Sequence, residues 1–337
     1  MAPRNSIGFH GIGRLLSLAG ADGTPHTRAD MPPIRARLVG AALHYGLRAA
    51  SAAGKLRPDA RLDRYGIDVT YDVPYGPAPH ERLDVYRPAN ASGRAALYLH
   101  GGGFRILSKD THWMMAKMLA RAGWTVFNAN YRLAPKHPFP AAVEDAGAAL
   151  DWVFEHAAAH GADPEQLVLI GESAGGNLVT ALGLATTFER PEPWARRVFE
   201  RGITPRAVAP LCGMLEVSNG ERYLEDARLP PLVRSRIQQI CAAYLGGERD
   251  PERLFFADPL RVIESELESS RPLPPFFASV GTADPILHDT RRLHRALERR
   301  GVPHEVRYYS REIHAFQALY WTPQGRRSWE DLFAFLG

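Results

Sequence analysis

A serine between two glycines in the middle of the chain is well placed to act as a nucleophile. The sequence Gly-Glu-Ser-Ala-Gly at 171–175 directly follows the apolar residues 167–170 and leads into a helix-forming stretch. A strand, Gly-x-Ser-x-Gly and a helix in this order are typical of a nucleophile elbow, a sharp turn that exposes a serine hydroxyl at the end of a sheet. Small residues are needed beside Ser173 because strand and helix come very close at such a turn. Since the same pattern also occurs in ordinary turns, it needs support from other motifs.

A glycine-rich segment follows a second apolar stretch. His-Gly-Gly-Gly-Phe at 100–104 comes directly after residues 95–99, which we interpret as a buried strand. Backbone N–H groups in such a loop can stabilise the negative charge that develops on a carbonyl oxygen during acyl transfer. We expect an oxyanion hole formed by the N–H groups of Gly101, Gly102 and Ala174. A phosphate-binding loop is disfavoured, because the Walker and dinucleotide fingerprints are both absent.

A serine nucleophile also needs a general base and an acid that orients the base. His314 lies in a loop after a predicted strand at 304–309, and Asp284 lies in a loop after a predicted strand at 275–280. Functional residues of parallel sheets gather at the carboxyl ends of strands. The order serine, acid, histidine is also the one that accompanies a nucleophile elbow. We therefore predict that His314 is the base and Asp284 the acid.

Two other aspartates lie in the same half of the chain. Asp289 is the alternative acid, but it lies deeper, near the start of a helix predicted over about 290–300, where a capping role is favoured. Asp258 precedes a proline and is interpreted as a turn residue. Both are therefore expected to be structural.

Five ordered motifs resemble those of the hormone-sensitive-lipase-like (bacterial family IV) group of α/β-hydrolases, from about residue 70 to the C-terminus. The motifs are 100–104, the proline-containing segments 131–135 and 138–145, the elbow at 171–177, Gly-Thr-Ala-Asp-Pro at 281–285 and His-Ala-Phe at 314–316. Three positions depart from the common pattern: Glu172, Ala315 and Asn130 stand where Asp, Gly and an acid are frequent. None of the departures removes a reacting group.

The resemblance implies a serine carboxylesterase with an α/β-hydrolase fold. It implies Ser173 as nucleophile, His314 as base and Asp284 as acid, with the oxyanion hole named above. It also implies a helical cap over the serine.

Composition narrows the class of protein. The chain has 337 residues, 45% of them hydrophobic, and a net charge of only +4 from 41 basic and 37 acidic residues. The basic residues are scattered, so nucleic-acid binding is not expected. Two cysteines, Cys212 and Cys241, are too few for a disulfide framework or a cysteine metal site and are predicted to be small core residues. We expect no metal and no organic cofactor.

Apolar runs are too short for a transmembrane helix, which needs about 18 residues or more. The stretch near residues 15–19 is also too short for a signal peptide. The sequence therefore predicts a cytoplasmic protein without stable membrane insertion.

Strands and helices alternate along most of the chain, which predicts a mostly parallel central sheet covered by helices on both sides. An antiparallel start is expected at 67–73 and 82–86, and helices at 34–53 and 231–245. We divide the chain into an N-terminal cap segment (1–60), a first part of the catalytic core (61–212), a cap insertion (213–257) and a second part of the core (258–337).

The cap is expected to wall the substrate pocket and exclude water. Candidate pocket residues are Phe104, Leu215, Tyr244 and Phe316, together with Tyr223. The alternative is that Leu215, Tyr223 and Tyr244, which lie in the cap insertion, only stabilise the packing of the cap.

The predicted function is hydrolysis of short- to medium-chain carboxylic esters through an acyl-enzyme. A deacetylase, amidase or lactonase would use the same residues, so these activities stay open. A non-catalytic small-molecule receptor is disfavoured, because Ser173, Asp284 and His314 are all present. The protein is expected to be a monomer or a homodimer, with edge strand 307–309 as one conceivable pairing surface.

Overall fold

The computed structural model describes residues 33–337, in which eight strands form one sheet in the order β1-β2-β4-β3-β5-β6-β7-β8. The strands β1 and β2 are antiparallel, β2 is antiparallel to β4, and all remaining pairs are parallel. The predicted fold class is confirmed. The strands are β1 (Ile67–Pro74), β2 (Arg82–Pro88), β3 (Ala95–Leu99), β4 (Thr125–Ala129), β5 (Leu167–Glu172), β6 (Ala207–Leu211), β7 (Phe276–Gly281) and β8 (His304–Tyr309).

Nine α-helices lie within the described residues, and none of them is both long and apolar enough to cross a bilayer. The helices are α1 (Pro33–Lys55), α2 (Trp113–Arg121), α3 (Ala141–His156), α4 (Ala174–Ala185), α5 (Pro193–Glu200), α6 (Pro231–Leu245), α7 (Pro259–Glu264), α8 (Leu287–Arg300) and α9 (Pro323–Leu336). The predicted helix at 231–245 coincides with α6, and the one at 34–53 with α1. Residues 1–32 of the predicted N-terminal cap segment lie outside the described part.

The central strands are apolar on both faces because helices cover both sides of the sheet. In β3, Leu97 and Leu99 join the core beneath α3 and α4, whereas Ala96 and Tyr98 join a second core beneath α2 and α9. Side chains alternate between faces along a strand, so a continuous apolar run fills two cores. This explains why residues 95–99 have the continuous apolar pattern of a buried strand.

Parallel registry brings the loops of the predicted site to one edge of the sheet. Leu99 at the end of β3 is paired with Gly171 near the end of β5, and Gly281 at the end of β7 is paired with Tyr309 at the end of β8. The loops that follow these strands carry the glycine segment, the serine, the aspartate and the histidine. Four segments that are far apart in sequence therefore meet at one place.

The predicted cap insertion at 213–257 lies between β6 and α7 and contains α6. Helix α6 packs on the glycine segment, where the ring of Tyr244 stacks on Phe104 with centroids 3.7 Å apart. Helix α1 lies against residues 107–113, which follow the glycine segment in the chain. The backbone N–H of Leu107 donates to Nδ1 of His44 at 3.4 Å, and the indole N–H of Trp113 donates to the hydroxyl of Ser51 at 3.1 Å.

Candidate active site

Ser173 occupies a strained turn between β5 and α4. Its φ is +55° and its ψ −113°, a conformation that costs a non-glycine residue free energy and that the surrounding structure must impose. The Ser173 N–H donates to the Leu211 carbonyl at 2.9 Å, and its carbonyl accepts from the Met214 N–H at 3.1 Å. A Cβ at Gly175 would collide with the Leu99 carbonyl oxygen. The glycine two positions after the serine is therefore required by close approach of helix and strand.

The predicted nucleophile, base and acid form one chain of hydrogen bonds. Nε2 of His314 lies 2.9 Å from the Ser173 hydroxyl oxygen, and Nδ1 of His314 lies 2.8 Å from Oδ2 of Asp284. The Asp284 side chain is fully buried and also accepts from the Ile286 N–H at 2.9 Å. With a proton on Nδ1, the imidazole donates to Asp284 and presents Nε2 as an acceptor to the serine.

Burial and two neighbouring side chains act on the pKa of His314. Burial lowers the pKa, whereas the Asp284 carboxylate and Cys212 raise it; the net direction is well above the ordinary value of 6.5. A third of the side chain is still exposed, which limits the desolvation penalty. The Cys212 thiol lies beside the imidazole, and burial raises the pKa of that thiol to about 11. Cys212 is therefore neutral near pH 7, and Asp284 is the charge that matters for His314.

The glycine loop that carries two of the expected oxyanion donors lies beside the serine turn, since a Cβ at Gly101 would be 3.1 Å from the Glu172 carbonyl oxygen and one at Gly175 would be 2.7 Å from that of His100. Within residues 33–337, the N–H groups of Gly101, Gly102 and Ala174 donate to no protein acceptor. Gly102 has a φ of +120°, and a Cβ there would collide with the Ile106 carbonyl. Ala174 is the first residue of α4, so its N–H also belongs to the positive end of a helix dipole. These three donors are free to bind a ligand oxygen.

A histidine and a tyrosine fix the conformation of this loop. The Tyr131 hydroxyl donates to the His100 carbonyl at 2.6 Å, and its ring stacks on the imidazole of His100 at 4.3 Å. Nδ1 of His100 donates to the Gly101 carbonyl at 2.7 Å. Burial lowers the pKa of His100 to about 3, so the ring stays neutral. The two residues belong to separate motifs, and nothing in their spacing of 31 positions indicates the contact.

Glu172, one of the departures from the family pattern, lies beneath the same loop. One of its carboxylate oxygens is 3.3 Å from Nε2 of His112. Burial, the largest single effect, raises the pKa of Glu172, but the hydrogen bond from His112 and the combined influence of His112, His314 and His100 outweigh it, and the net direction is down. A Cβ at Gly101 would be only 2.5 Å from this carboxylate. Sequence analysis did not identify His112 as a neighbour of the site.

Both ends of the insertion are held by a residue of α4. The Asn177 amide donates to the carbonyl of Met214, at the start of the insertion, and to the carbonyl of Ala257, the last residue of the insertion. Both distances are 2.9 Å. Asn177 lies one helical turn after Ser173 and is fully buried. The position of the insertion is therefore coupled to the helix that carries the nucleophile.

The capping role predicted for Asp289 is wrong. Helix α8 begins at Leu287 without a side-chain cap, and the fully buried Asp289 carboxylate reaches the insertion instead. Its oxygens accept from the backbone N–H of Leu215 at 2.9 Å, from Arg222 at 2.8 Å and from the Tyr223 hydroxyl at 3.2 Å. Tyr223, a candidate pocket residue, is thus engaged in anchoring the insertion.

Asp258 precedes α7, as a turn residue would, but its carboxylate is also buried. One oxygen accepts from the Val217 N–H at 2.7 Å and from the Ser218 N–H at 3.0 Å. Asp258, the first residue after the insertion, therefore fixes the start of the insertion.

The four predicted pocket residues are fully buried. Phe104 and Tyr244 are stacked, Phe316 packs on Tyr309 with ring centroids 4.9 Å apart, and Leu215 lies in the core. Their role in binding an acyl chain stays a prediction.

Three groups of described residues have the spacing of metal ligands. They are Glu172, Cys212 and His314; His294, Glu298 and His304; and His80, Glu81 and Asp145. In the first group both nitrogens of His314 are already hydrogen-bonded, so a metal there would displace Ser173 from the imidazole. The other two groups lie away from the serine, and the expected absence of a metal stays a prediction.

A family model for the alpha/beta hydrolase fold matches residues 96–318. This chain belongs to that family. It is 30% identical to carboxylesterase NlhH of Mycobacterium tuberculosis over 278 residues, which cover 80% of each chain. It is 29% identical to the acetyl esterase of Salmonella typhi over 246 residues, which cover 72% of this chain and 71% of the relative.

Solved structures agree with the fold. Esterase LipW from Mycobacterium marinum superposes with a TM-score of 0.71 at 23% identity, covering 92% of this chain and 91% of that one. At that identity the likeness concerns the fold alone. The family model and the relatives confirm the fold and the class of carboxylic-ester hydrolase that the sequence predicts. A hormone-sensitive lipase from a metagenome library shares the fold, with a TM-score of 0.68 at 23% identity, covering 92% of each chain.

Proposed function

We propose that this α/β-hydrolase cleaves short- to medium-chain carboxylic esters through an acyl-enzyme formed on Ser173. The observation that carries the proposal is the hydrogen-bond chain from Ser173 through His314 to Asp284, at 2.9 and 2.8 Å. A serine hydroxyl is a weak nucleophile by itself and needs a base in this position.

Acylation begins when the Ser173 hydroxyl oxygen attacks the ester carbonyl and Nε2 of His314 takes its proton. The carbonyl oxygen becomes an oxyanion, which the N–H groups of Gly101, Gly102 and Ala174 stabilise. The bond to the alcohol oxygen then breaks, and His314 gives its proton to the leaving alcohol. The acyl group remains bound to the serine.

Deacylation repeats these steps with water as the nucleophile. His314 takes a proton from water as it attacks the acyl carbonyl, and returns that proton to the serine oxygen when the carboxylic acid leaves. Asp284 stays ionised and holds the imidazole in the required tautomer. Helix α1 and the insertion 213–257 act as the cap that excludes bulk water.

Small acyl groups are favoured because the predicted pocket residues are large and closely packed, and because one relative bears the name acetyl esterase. The deacetylase, amidase and lactonase alternatives use the same chemistry on other substrates. A receptor would have no need for a base hydrogen-bonded to a serine.

The test is a hydrolysis screen over acyl esters from two to sixteen carbons, with Ser173→Ala as the inactive variant. We expect hydrolysis to be fastest for the shorter chains and to fall by roughly 10³ or more in Ser173→Ala. Ser270→Ala, at an exposed serine, is the matched control. Retained activity in Ser173→Ala with unchanged thermal melting would place the nucleophile elsewhere.

We also infer a cytoplasmic location and a monomeric or homodimeric state. Both cysteines are buried free thiols, which fits a reducing compartment. Strand β8 is the last strand of the sheet, so its backbone is available for pairing with a second copy.

A further inference from the structure

Two arginines lie at the contact between the glycine segment and helix α6. Arg105 is in the turn that closes the segment, where its N–H donates to the Gly102 carbonyl at 3.2 Å. Arg236 lies on α6, four residues before Ile240, whose side chain is packed so closely on Gly103 that a Cβ there would be 2.9 Å from it. Residues four apart share one face of a helix, so Arg236 is on the face that meets the glycine segment.

The stack between Phe104 and Tyr244 continues this contact one turn further along α6. Arg236, Ile240 and Tyr244 therefore form a row along the glycine segment. Arg105 follows Phe104 directly, which places its side chain at the same boundary.

Neither guanidinium has a counter-charge within residues 33–337. Both side chains are half-buried, and neither donates a hydrogen bond or forms an ion pair in that part of the chain. By contrast, Arg234 on the same helix donates to the carbonyls of Leu229 and Leu224, at 2.7 and 3.0 Å. Burial lowers the pKa of Arg105 and of Arg236, and the charge of Arg105 lowers the pKa of Arg236 further. The charge that acts on Arg236 is therefore that of Arg105, which is also positive.

Two like charges that are partly removed from water and that have no counter-charge in residues 33–337 repel each other and destabilise this part of the protein. An anion between them would form charge-assisted hydrogen bonds with both, and guanidinium groups bind carboxylate or phosphate in a bidentate manner. Arg105 follows Gly102 by three residues, so their Cα atoms are at most about 11 Å apart. The Arg105 side chain therefore begins close enough to the oxyanion hole for one substrate to extend from the hole to the guanidinium.

We propose that Arg105 and Arg236 bind an anionic group, a carboxylate or phosphate, carried by the ester substrate itself. The inference rests on the proposed function and specifies its substrate class: esters with a negative charge a few atoms from the scissile carbonyl. A monoester of a dicarboxylic acid is the simplest member of this class.

The test compares four esters by proton release at constant pH. Ethyl butyrate is the neutral reference. Monoethyl glutarate carries a carboxylate on the acyl side, butyryloxyacetate carries one on the alcohol side, and 2-phosphoethyl butyrate carries a phosphate. We expect at least one anionic ester to exceed ethyl butyrate in kcat/KM by about 10-fold or more, and this ratio to fall as salt is added because exposed charges are screened. The anionic ester that is preferred identifies both the group and the side of the ester.

Arg105→Gln and Arg236→Gln remove each charge in turn. In each variant we expect the ratio of kcat/KM for the preferred anionic ester over that for ethyl butyrate to fall by about 10-fold, mainly through a higher KM for the anionic ester. Arg295→Gln, at an exposed position of α8, removes the same charge elsewhere and should keep the wild-type ratio.

The absence of any anionic preference in the wild-type enzyme would overturn the inference without requiring a variant. A preference that survives in the double variant would overturn it as well. If ethyl butyrate is hydrolysed in a Ser173-dependent manner without an anionic preference, only this inference fails. If hydrolysis of every ester is independent of Ser173, the proposed function fails.

Discussion

The buried carboxylate of Asp284 lies 2.8 Å from Nδ1 of His314, and the opposite nitrogen of the imidazole faces the Ser173 hydroxyl. One ring is thus held between a fixed negative charge and the group that it must deprotonate. This arrangement sets both the tautomer of the base and the pH range in which it is neutral.

The first prediction concerns pH. A base acts only when neutral, and the Asp284 carboxylate raises the pKa of His314 above the ordinary 6.5 despite the opposing effect of burial. We therefore expect kcat/KM to rise with pH along one ionisation whose midpoint is above 6.5, and then to reach a plateau. Removing the carboxylate in Asp284→Asn should move the midpoint to lower pH. A midpoint that stays in place would show that Asp284 does not act on the titrating group.

The second prediction separates the two aspartates of this region. Asp284→Asn should lower kcat by about 10⁴ because the imidazole loses the tautomer that accepts the serine proton. Asp289→Asn should retain the chemistry but leave Arg222 with only the more distant Glu216, at 3.5 Å, as a charge partner, at a cost of about 3 kcal/mol in unfolding free energy. Steady-state kinetics and urea denaturation of both variants check this. The reverse ranking would transfer the role of acid to Asp289.

The third prediction concerns close approach at the elbow. A methyl group at Gly175 would meet the Leu99 carbonyl, so Gly175→Ala should reduce the unfolding free energy by about 3 kcal/mol or more and abolish activity. Gly46→Ala is the matched control, since Gly46 lies in α1 and a Cβ there would have no atom of the described part of the chain within 4 Å. That substitution should raise stability by up to about 1 kcal/mol. Denaturant titration of the two variants measures their unfolding free energies. It thereby separates the steric clash at Gly175 from the gain in helix propensity at Gly46.

The fourth prediction separates serine from metal chemistry. Prolonged treatment with EDTA should leave the rate unchanged, because His314 uses both nitrogens for Ser173 and Asp284. A serine-directed phosphonate should abolish activity at one equivalent. Loss of activity with EDTA and its recovery on addition of zinc would contradict the mechanism.

Local patterns in the sequence are sufficient to predict many of the helices and strands of this protein. Helix 231–245 and strand 304–309 coincide with α6 and β8, because hydrophobic periodicity and flanking glycine or proline are local signals. Boundaries are less accurate: the helix expected over about 290–300 begins three residues earlier, at Leu287. The serine, acid and histidine could be selected because strand order places their loops at one edge of the sheet.

The tertiary structure alone decided how the polar residues around the site are paired. Asp289 and Leu215 are 74 positions apart, and the predicted cap of α8 is instead the anchor of the insertion. Asn177 reaches both ends of that insertion, over 37 and 80 positions. Likewise, nothing in the sequence brings Arg105 to Arg236. The role of a side chain that hydrogen-bonds within its own turn can be predicted from the neighbouring residues in the sequence. A buried polar group, in contrast, is hydrogen-bonded to any suitable partner that the folded chain brings within reach.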